Sequence, residues 1–290
     1  MKNFIEYDVF GNPIECSEIL RNKFIENPFS VLDTKSGSWN HRVKLWKDLG
    51  IKSEVGRKAV AIHMSSDKDT HNLENYTSIF DPALCEVLYR WFCPEGGVIL
   101  DPFAGGSVRG IVANYLGYHY TGIDIRAEQV ESNIEQGSLI CEKGNQPVWI
   151  CGDSNQVLQG LEVSADFLFS CPPYADLEVY SKLPGDISNM KYPEFLEAYR
   201  SIIKKSCEKL KPGSLACFVV GEVRGKDGNY LGFVPDTIRA FMDAGMGYYN
   251  EAILLNKIVS ASMRAAGNMK TRKLAKVHQN VLVFKKPDLL

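Results

Sequence analysis

Residues able to do chemistry gather in five short segments, each following an apolar run. The first is Asp101-Pro102-Phe103-Ala104-Gly105-Gly106-Ser107. Its paired glycines allow a tight turn and a close approach of backbone to a ligand, and a helix opening there would offer unpaired amides. Asp124 closes the next apolar run, Gly122-Ile123-Asp124-Ile125. An acidic residue at that point can accept hydrogen bonds from both hydroxyls of a ribose. Third comes Cys151-Gly152-Asp153-Ser154, whose Asp153 is placed to accept a bond from an adenine amine. The fourth is Ser170-Cys171-Pro172-Pro173-Tyr174. Two prolines lock φ and fix the direction of the neighbouring carbonyls and ring, which suits capture of a flat base taken out of its stack. The fifth, Gly221-Glu222-Val223-Arg224, offers a carboxylic acid and a guanidinium.

A regular alternation of elements must position these segments. Residues 1 to 75 are polar and irregular, with one amphipathic helix expected around Ser38–Leu49. Trp39 and Trp46 lie two helical turns apart, which makes one apolar face the better reading and base stacking the lesser. From Asp81 the pattern changes: Asp81 is a candidate N-cap with Pro82 at the first helical position. Strands are expected over 96–103, 118–125, 147–153, 165–170 and 214–222, with helices over 107–117, 127–143, 191–213 and 233–245. Segments 247–255 and 280–286 read as two closing strands with no well-formed helix between them. Alternation of apolar strands with helices predicts an α/β fold, a mostly parallel seven-stranded sheet with an antiparallel closing strand and helices on both faces. Ligands in such folds bind at the carboxyl ends of the strands, where the five segments fall.

Composition sets the outer bounds. The chain has 290 residues, 45% hydrophobic and 23% charged, which excludes disorder and fibres. No run approaches the roughly 20 apolar residues of a membrane helix, and the first residues lack a signal-peptide core, so a cytoplasmic protein is expected. Eight scattered cysteines with no CxxC pair argue against a zinc cage and a disulfide framework. His63, Asp67, Asp69 and His71 match no metal spacing, so no metal is expected. A net charge of −2 gives no global polyanion signature. Two local basic stretches do. Lys35 to Arg57 holds Lys35, Arg42, Lys44, Lys47, Lys52 and Arg57 around Trp39, His41 and Trp46. Ala252 to Pro287 holds Lys257, Arg264, Lys270, Arg272, Lys273, Lys276, Lys285 and Lys286 with no acid. Such segments favour a nucleic acid partner, because phosphate neutralisation dominates that affinity. His278 sits in the second stretch, as either a phosphate contact or a surface histidine.

Taken together these residues resemble the S-adenosylmethionine-dependent DNA methyltransferases that modify exocyclic amines, cytosine N4 or adenine N6. The resemblance spans about residues 76 to 286 and divides the chain into an N-terminal extension, 1–75, and a methyltransferase domain, 76–290. It implies S-adenosylmethionine as cofactor and DNA as partner. Cofactor contacts implied are Ser78 and Phe80 in the upstream segment Tyr76–Pro82, then Asp101, Pro102, Phe103, Gly105, Asp124, Ile125, Asp153 and Ser154. Catalytic residues implied are Cys171, Pro172, Pro173 and Tyr174, and His278–Lys286 is similar to the closing strand of the family. Two positions depart from the pattern. Ser107 stands where a further glycine is usual, and Cys171 where Asp, Asn or Ser accepts a bond from the amine. Sulfur is a weak acceptor, so a nearby carbonyl or Ser170 would share that work. Alternatively, Cys171 is a thiolate nucleophile for cytosine C5, with Glu222 and Arg224 assisting. A DNA-binding homologue that has lost catalysis is the third reading.

Overall fold

The computed structural model describes residues 24–51, 80–142, 144–174, 181, 183–256 and 259–288. Its strands are β1 (Val31–Asp33), β2 (Val98–Asp101), β3 (His119–Asp124), β4 (Val148–Cys151), β5 (Ala165–Ser170), β6 (Leu210–Val220), β7 (Gly247–Leu255) and β8 (His278–Lys285). The helices are α1 (Gly37–Asp48), α2 (Pro82–Phe92), α3 (Val108–Tyr115), α4 (Ala127–Ile140), α5 (Ser154–Gly160), α6 (Tyr192–Glu208), α7 (Phe233–Asp243) and α8 (Val259–Met269). One sheet results, in the order β1-β7-β8-β6-β5-β2-β3-β4. Strand β8 runs antiparallel to both of its neighbours, and every other pairing is parallel.

Both faces of the sheet are covered, as the continuous apolar strands require. Successive side chains of a strand point to opposite faces. Ile99, Phe167 and Phe169 therefore join one core with Leu84, Val87 and Leu88 of α2 and Val112 of α3. Leu100 and Leu168 join the other, with Phe195 and Tyr199 of α6 and Phe241 of α7. Helix α2 starts where its sequence says it should: Asp81 Oδ1 accepts the amides of Ala83 and Leu84 at 2.8 and 3.3 Å, and Pro82 needs no partner.

The structure departs from the expected elements at several places, among them the short helix α5 in the connection between β4 and β5. An eighth strand, β1, adds to the sheet by pairing with β7 through Val31↔Ile253 to Asp33↔Leu255. Helix α1 follows it, with Trp39 and Trp46 buried in the α2 core, and Trp46 Nε1 donates to Glu86 Oε2 at 2.8 Å. These indoles form an apolar face and do not stack on bases. Strand β6 begins at Leu210, so Pro212-Gly213 lies within the strand and does not end a long helix. The ladder to β5 shifts register between Ala165 and Phe167, the kind of irregularity that admits a proline. Finally, α8 occupies the connection between β7 and β8, where no helix was expected.

No helix among the described residues is long and apolar enough to cross a membrane. The described cysteines form no disulfide, and no group of metal-binding side chains occurs among the described residues.

Candidate active site

The carboxyl ends of β2, β3, β5, β6 and β7 and the amino end of β8 open onto one cleft of ≈720 Å³, a volume suited to a nucleotide-sized ligand. Pro102, Phe103, Ala104, Gly105 and Gly106 form its floor on one side. Gly105 has φ +53°, the left-handed turn that a side chain would resist. Asp124 fixes that turn: its Oδ2 accepts the Gly105 amide at 2.9 Å and its Oδ1 accepts the Arg126 amide at 2.9 Å. Each carboxylate oxygen has a second lone pair, so Asp124 can still receive hydroxyls from the cleft. Burial pushes its pKa up, opposed by the Arg126 guanidinium and by those two amides. Asp153 caps α5 by accepting the Asn155 amide at 2.8 Å, and with Ile125, Ser154 and Asp186 it completes this end. Ser154 Oγ donates to the Pro102 carbonyl at 2.5 Å, so its hydroxyl serves the loop. Three carboxylates lining one end suit a cationic ligand that carries ribose hydroxyls.

Asp101 holds a different place from the one expected. It is fully buried and does not line the cleft. Its Oδ1 accepts the Ser170 hydroxyl at 2.5 Å and the Phe103 amide at 3.1 Å, and its Oδ2 accepts the Tyr120 hydroxyl at 2.7 Å. Arg109 Nε lies 2.6 Å from the same Oδ2. Arg109 also donates to the carbonyls of Phe103 and Ala104, and its guanidinium stacks 4.8 Å from the Phe80 ring. The buried pair therefore shapes the glycine loop from beneath. Sequence reasoning missed Arg109, since only the fold brings the first turn of α3 under that loop. Ser107 is accommodated too: buried, it donates to Gln136 Oε1 at 3.0 Å.

The opposite wall carries Cys171, Pro172, Pro173 and Tyr174, all lining the cleft. Ser170 is fully buried and donates to Asp101, so it cannot share in receiving an amine. The Tyr174 ring meets Phe233 edge-on with centroids 5.8 Å apart, and its hydroxyl accepts from Gln279 Nε2 at 2.7 Å. Glu222 lines the same wall but is committed elsewhere. Its Oε1 accepts the amides of Gly232 and Phe233 at 2.9 and 2.8 Å, and its Oε2 accepts that of Val234 at 3.4 Å. This is a carboxylate at the amino end of α7, where the helix dipole favours it, and the expected catalytic acid is a helix cap. Arg224 does not line the cleft: it donates to the Gly228 carbonyl at 2.7 Å and lies over Tyr230.

Thr34, Leu254, Asn256, Lys276, His278 and Gln279 also line the cleft, and of these the sequence pointed only to Lys276 and His278, through their charge. Burial lowers the pKa of both Lys276 and His278, and Lys276 lowers that of His278 further. The basic stretches separate into parts. Lys270 and Arg272 are exposed beside α8, whereas Lys285 pairs with Asp288 at 3.0 Å and Lys286 donates to the carbonyls of Cys207 and Leu210. Arg42 pairs with Glu86 at 2.9 Å and Lys44 with Asp48 at 2.6 Å, so two cations of the first stretch are held by acids of the fold. Ser78, His63, Asp67, Asp69, His71, Lys52, Arg57 and Lys257 lie outside the described residues.

Comparison with known proteins bears on this site. The N6/N4 methyltransferase family model, described as DNA methylase, matches residues 19–135. No curated protein matches the chain. Among solved structures, TrmN from Thermus thermophilus is 14% identical with a TM-score of 0.47, covering 71% of this chain and 48% of TrmN. The chain thus spans about half the length of that protein. Magnesium protoporphyrin IX methyltransferase from Synechocystis PCC 6803, with bound cofactor, is 14% identical with a TM-score of 0.43, covering 66% and 70%. TTHA0409, a proposed DNA modification methylase also from Thermus thermophilus, is 19% identical with a TM-score of 0.36, covering 47% and 51%. The matched segment, 19–135, contains the glycine loop, Asp124 and the buried pair beneath them, so over those residues the chain is similar to the DNA methylase family.

Proposed function

We propose that the protein transfers a methyl group from S-adenosylmethionine to the exocyclic amine of a base flipped out of DNA, cytosine N4 or adenine N6. One observation carries the reading: a single cleft holds the ribose-type acceptor Asp124 at one end and the rigid Pro172-Pro173-Tyr174 wall at the other. Bound S-adenosylmethionine supplies a sulfonium methyl group for in-line displacement. Gly105, Asp124 and Asp153 would hold its nucleoside, with Phe80, Pro102, Phe103, Ile125 and Ser154 forming the surrounding walls. Pro172 and Pro173 fix the backbone so that a carbonyl can accept from the amine, and Tyr174 stacks on the base. Cys171 fits beside that amine and need not bond to it. Catalysis then comes mainly from positioning and from the polar lining of the site. The helix-capping role of Glu222, whose carboxylate already accepts the amides of Gly232–Val234, and the position of Arg224 off the cleft favour amine over C5 chemistry.

DNA enters this proposal through the acid-free α8 segment. Lys270, Arg272 and Lys273 precede the cleft-lining Lys276 and His278 in the chain, and two of these three are exposed. In the first basic stretch Arg42 and Lys44 are ion-paired and contribute less. Incubation with methyl-labelled cofactor and equal masses of double-stranded DNA and RNA tests the reading. Label in DNA alone is expected; label in RNA alone would move the activity to another substrate class.

A further inference from the structure

We infer that Gln279 is a positioning residue for the target base, acting through the Tyr174 ring; this rests on the reading that Tyr174 stacks on that base. The two residues are 105 positions apart, yet Gln279 Nε2 donates to Tyr174 Oη at 2.7 Å. Gln279 is held by the sheet. It pairs with Leu254 in the β7–β8 ladder, one position inside the start of β8, and lines the same cleft. Tyr174 lies outside the regular elements: it follows Pro173 beyond the end of β5. Its ring is bounded by the Phe233 edge at 5.8 Å and by the backbone of Gly221, where an added Cβ would stand 3.6 Å from Oη.

The Gln279 amide holds the far end of that ring. Because Gln279 donates, the phenol oxygen is the acceptor in this bond. A swing of the ring changes the plane on which a base rests, and a misplacement of about 1 Å can cost as much as 100-fold in rate. The strand carrying Gln279 also ends the basic α8 connection, since Asn256 donates its amide to the Val277 carbonyl at 2.9 Å. The tether thus joins the base-holding wall to the segment proposed to meet the phosphates.

Gln279→Leu keeps the volume and removes the donor, and Tyr174→Phe removes the acceptor. Each should lower kcat on DNA about tenfold, the scale of one net hydrogen bond, with the KM for S-adenosylmethionine unchanged. The double variant should be no worse than Tyr174→Phe alone, since the two changes break one interaction. Ring-labelled tyrosine spectra give a readout without DNA: Gln279→Leu should shift the one resonance that Tyr174→Phe deletes. Multiplying losses in the double variant, full activity of Gln279→Leu, or an unmoved Tyr174 resonance would each overturn the inference. Absence of transfer to DNA by the wild type would sink the base reading and this inference together, whereas full activity of Gln279→Leu would sink this inference alone.

Discussion

At the scale of single residues, two side chains decide how the cleft works. Asp124 combines burial, which raises its pKa, with a position open to hydroxyl donors. A hydrogen bond to a charged group contributes about 1.5–3 kcal/mol. Asp124→Ala should therefore weaken S-adenosylmethionine binding at least about tenfold by calorimetry. The pH dependence follows from the direction of the shift. The ionised carboxylate is the form that accepts both hydroxyls, so affinity falls as pH drops through the raised pKa, starting above the pH at which an ordinary aspartate would respond. In the protein without ligand the sign is opposite: a carboxyl raised on folding loses stability as pH rises through that same interval. Asp124→Asn should bind more weakly at neutral pH and show a flat profile below it; a profile that keeps the wild-type drop would place the titrating group elsewhere.

Cys171 divides the two chemistries. Under amine transfer it has only to fit beside the base, so Cys171→Ser should keep its activity or gain some, since a hydroxyl accepts better than sulfur. Under C5 chemistry the same change removes the nucleophile and activity vanishes. Single-turnover rates on DNA distinguish these outcomes, with trapping on DNA containing 5-fluorocytosine as the control for a covalent adduct. Retained transfer and no adduct are expected.

At the scale of elements, the cofactor side depends on how closely α3 and α4 approach β4. Trp149 of β4 lies between two helical glycines. An added Cβ at Gly110 would come 2.5 Å from its ring, and one at Gly137 would come 2.8 Å from it. Alanine is the better helix former by about 0.8–1 kcal/mol, but the buried indole cannot yield that distance. Gly110→Ala should destabilise the fold by about 1–3 kcal/mol of overpacking, read as a lower Tm. A raised Tm would mean that propensity outweighs packing here. Much of this scale was legible in the sequence, because local signals suffice for it: Asp81-Pro82 at a helix start, Gly117 and Gly245 after helix ends, and apolar runs ending at Asp101, Asp124 and Ser170. The misreadings have a common physical cause. Glu222 reads as an uncommitted acid until the amides of Gly232–Val234 fold back onto it, and Pro212-Gly213 looks like a stop until a register shift in the β5–β6 ladder admits it. Asp101 and Arg109 likewise acquire their roles only through each other. In sequence, Ile258 precedes helix α8 where a Ser, Thr, Asp or Asn would signal a start, and Ser260, Ser262 and Gly267 within it lower its helix propensity, so little in its residues signals a helix.

At the scale of the whole molecule, the sheet brings Asp124, Asp153, the Pro172-Pro173-Tyr174 wall and Lys276 to one cleft, and the proposal makes the basic segment before Lys276 its contact with DNA. Replacing Lys270, Arg272 and Lys273 with alanine should weaken binding to duplex DNA of any sequence. The log-log salt dependence should flatten by roughly 0.9 for each phosphate no longer neutralised. Cofactor affinity should stay constant, because Asp124 and Asp153 lie at the other end of the cleft. An unmoved salt slope would assign these cations to a solvated face.

The central claim is amine methylation of a DNA base, and the product itself tests it most directly. DNA methylated by the protein, digested to nucleosides and weighed by mass spectrometry, should contain N4-methylcytosine or N6-methyladenine, each identified against its standard. Finding 5-methylcytosine instead would contradict the account and make Cys171 the nucleophile, and finding no methylated nucleoside would remove DNA as the substrate.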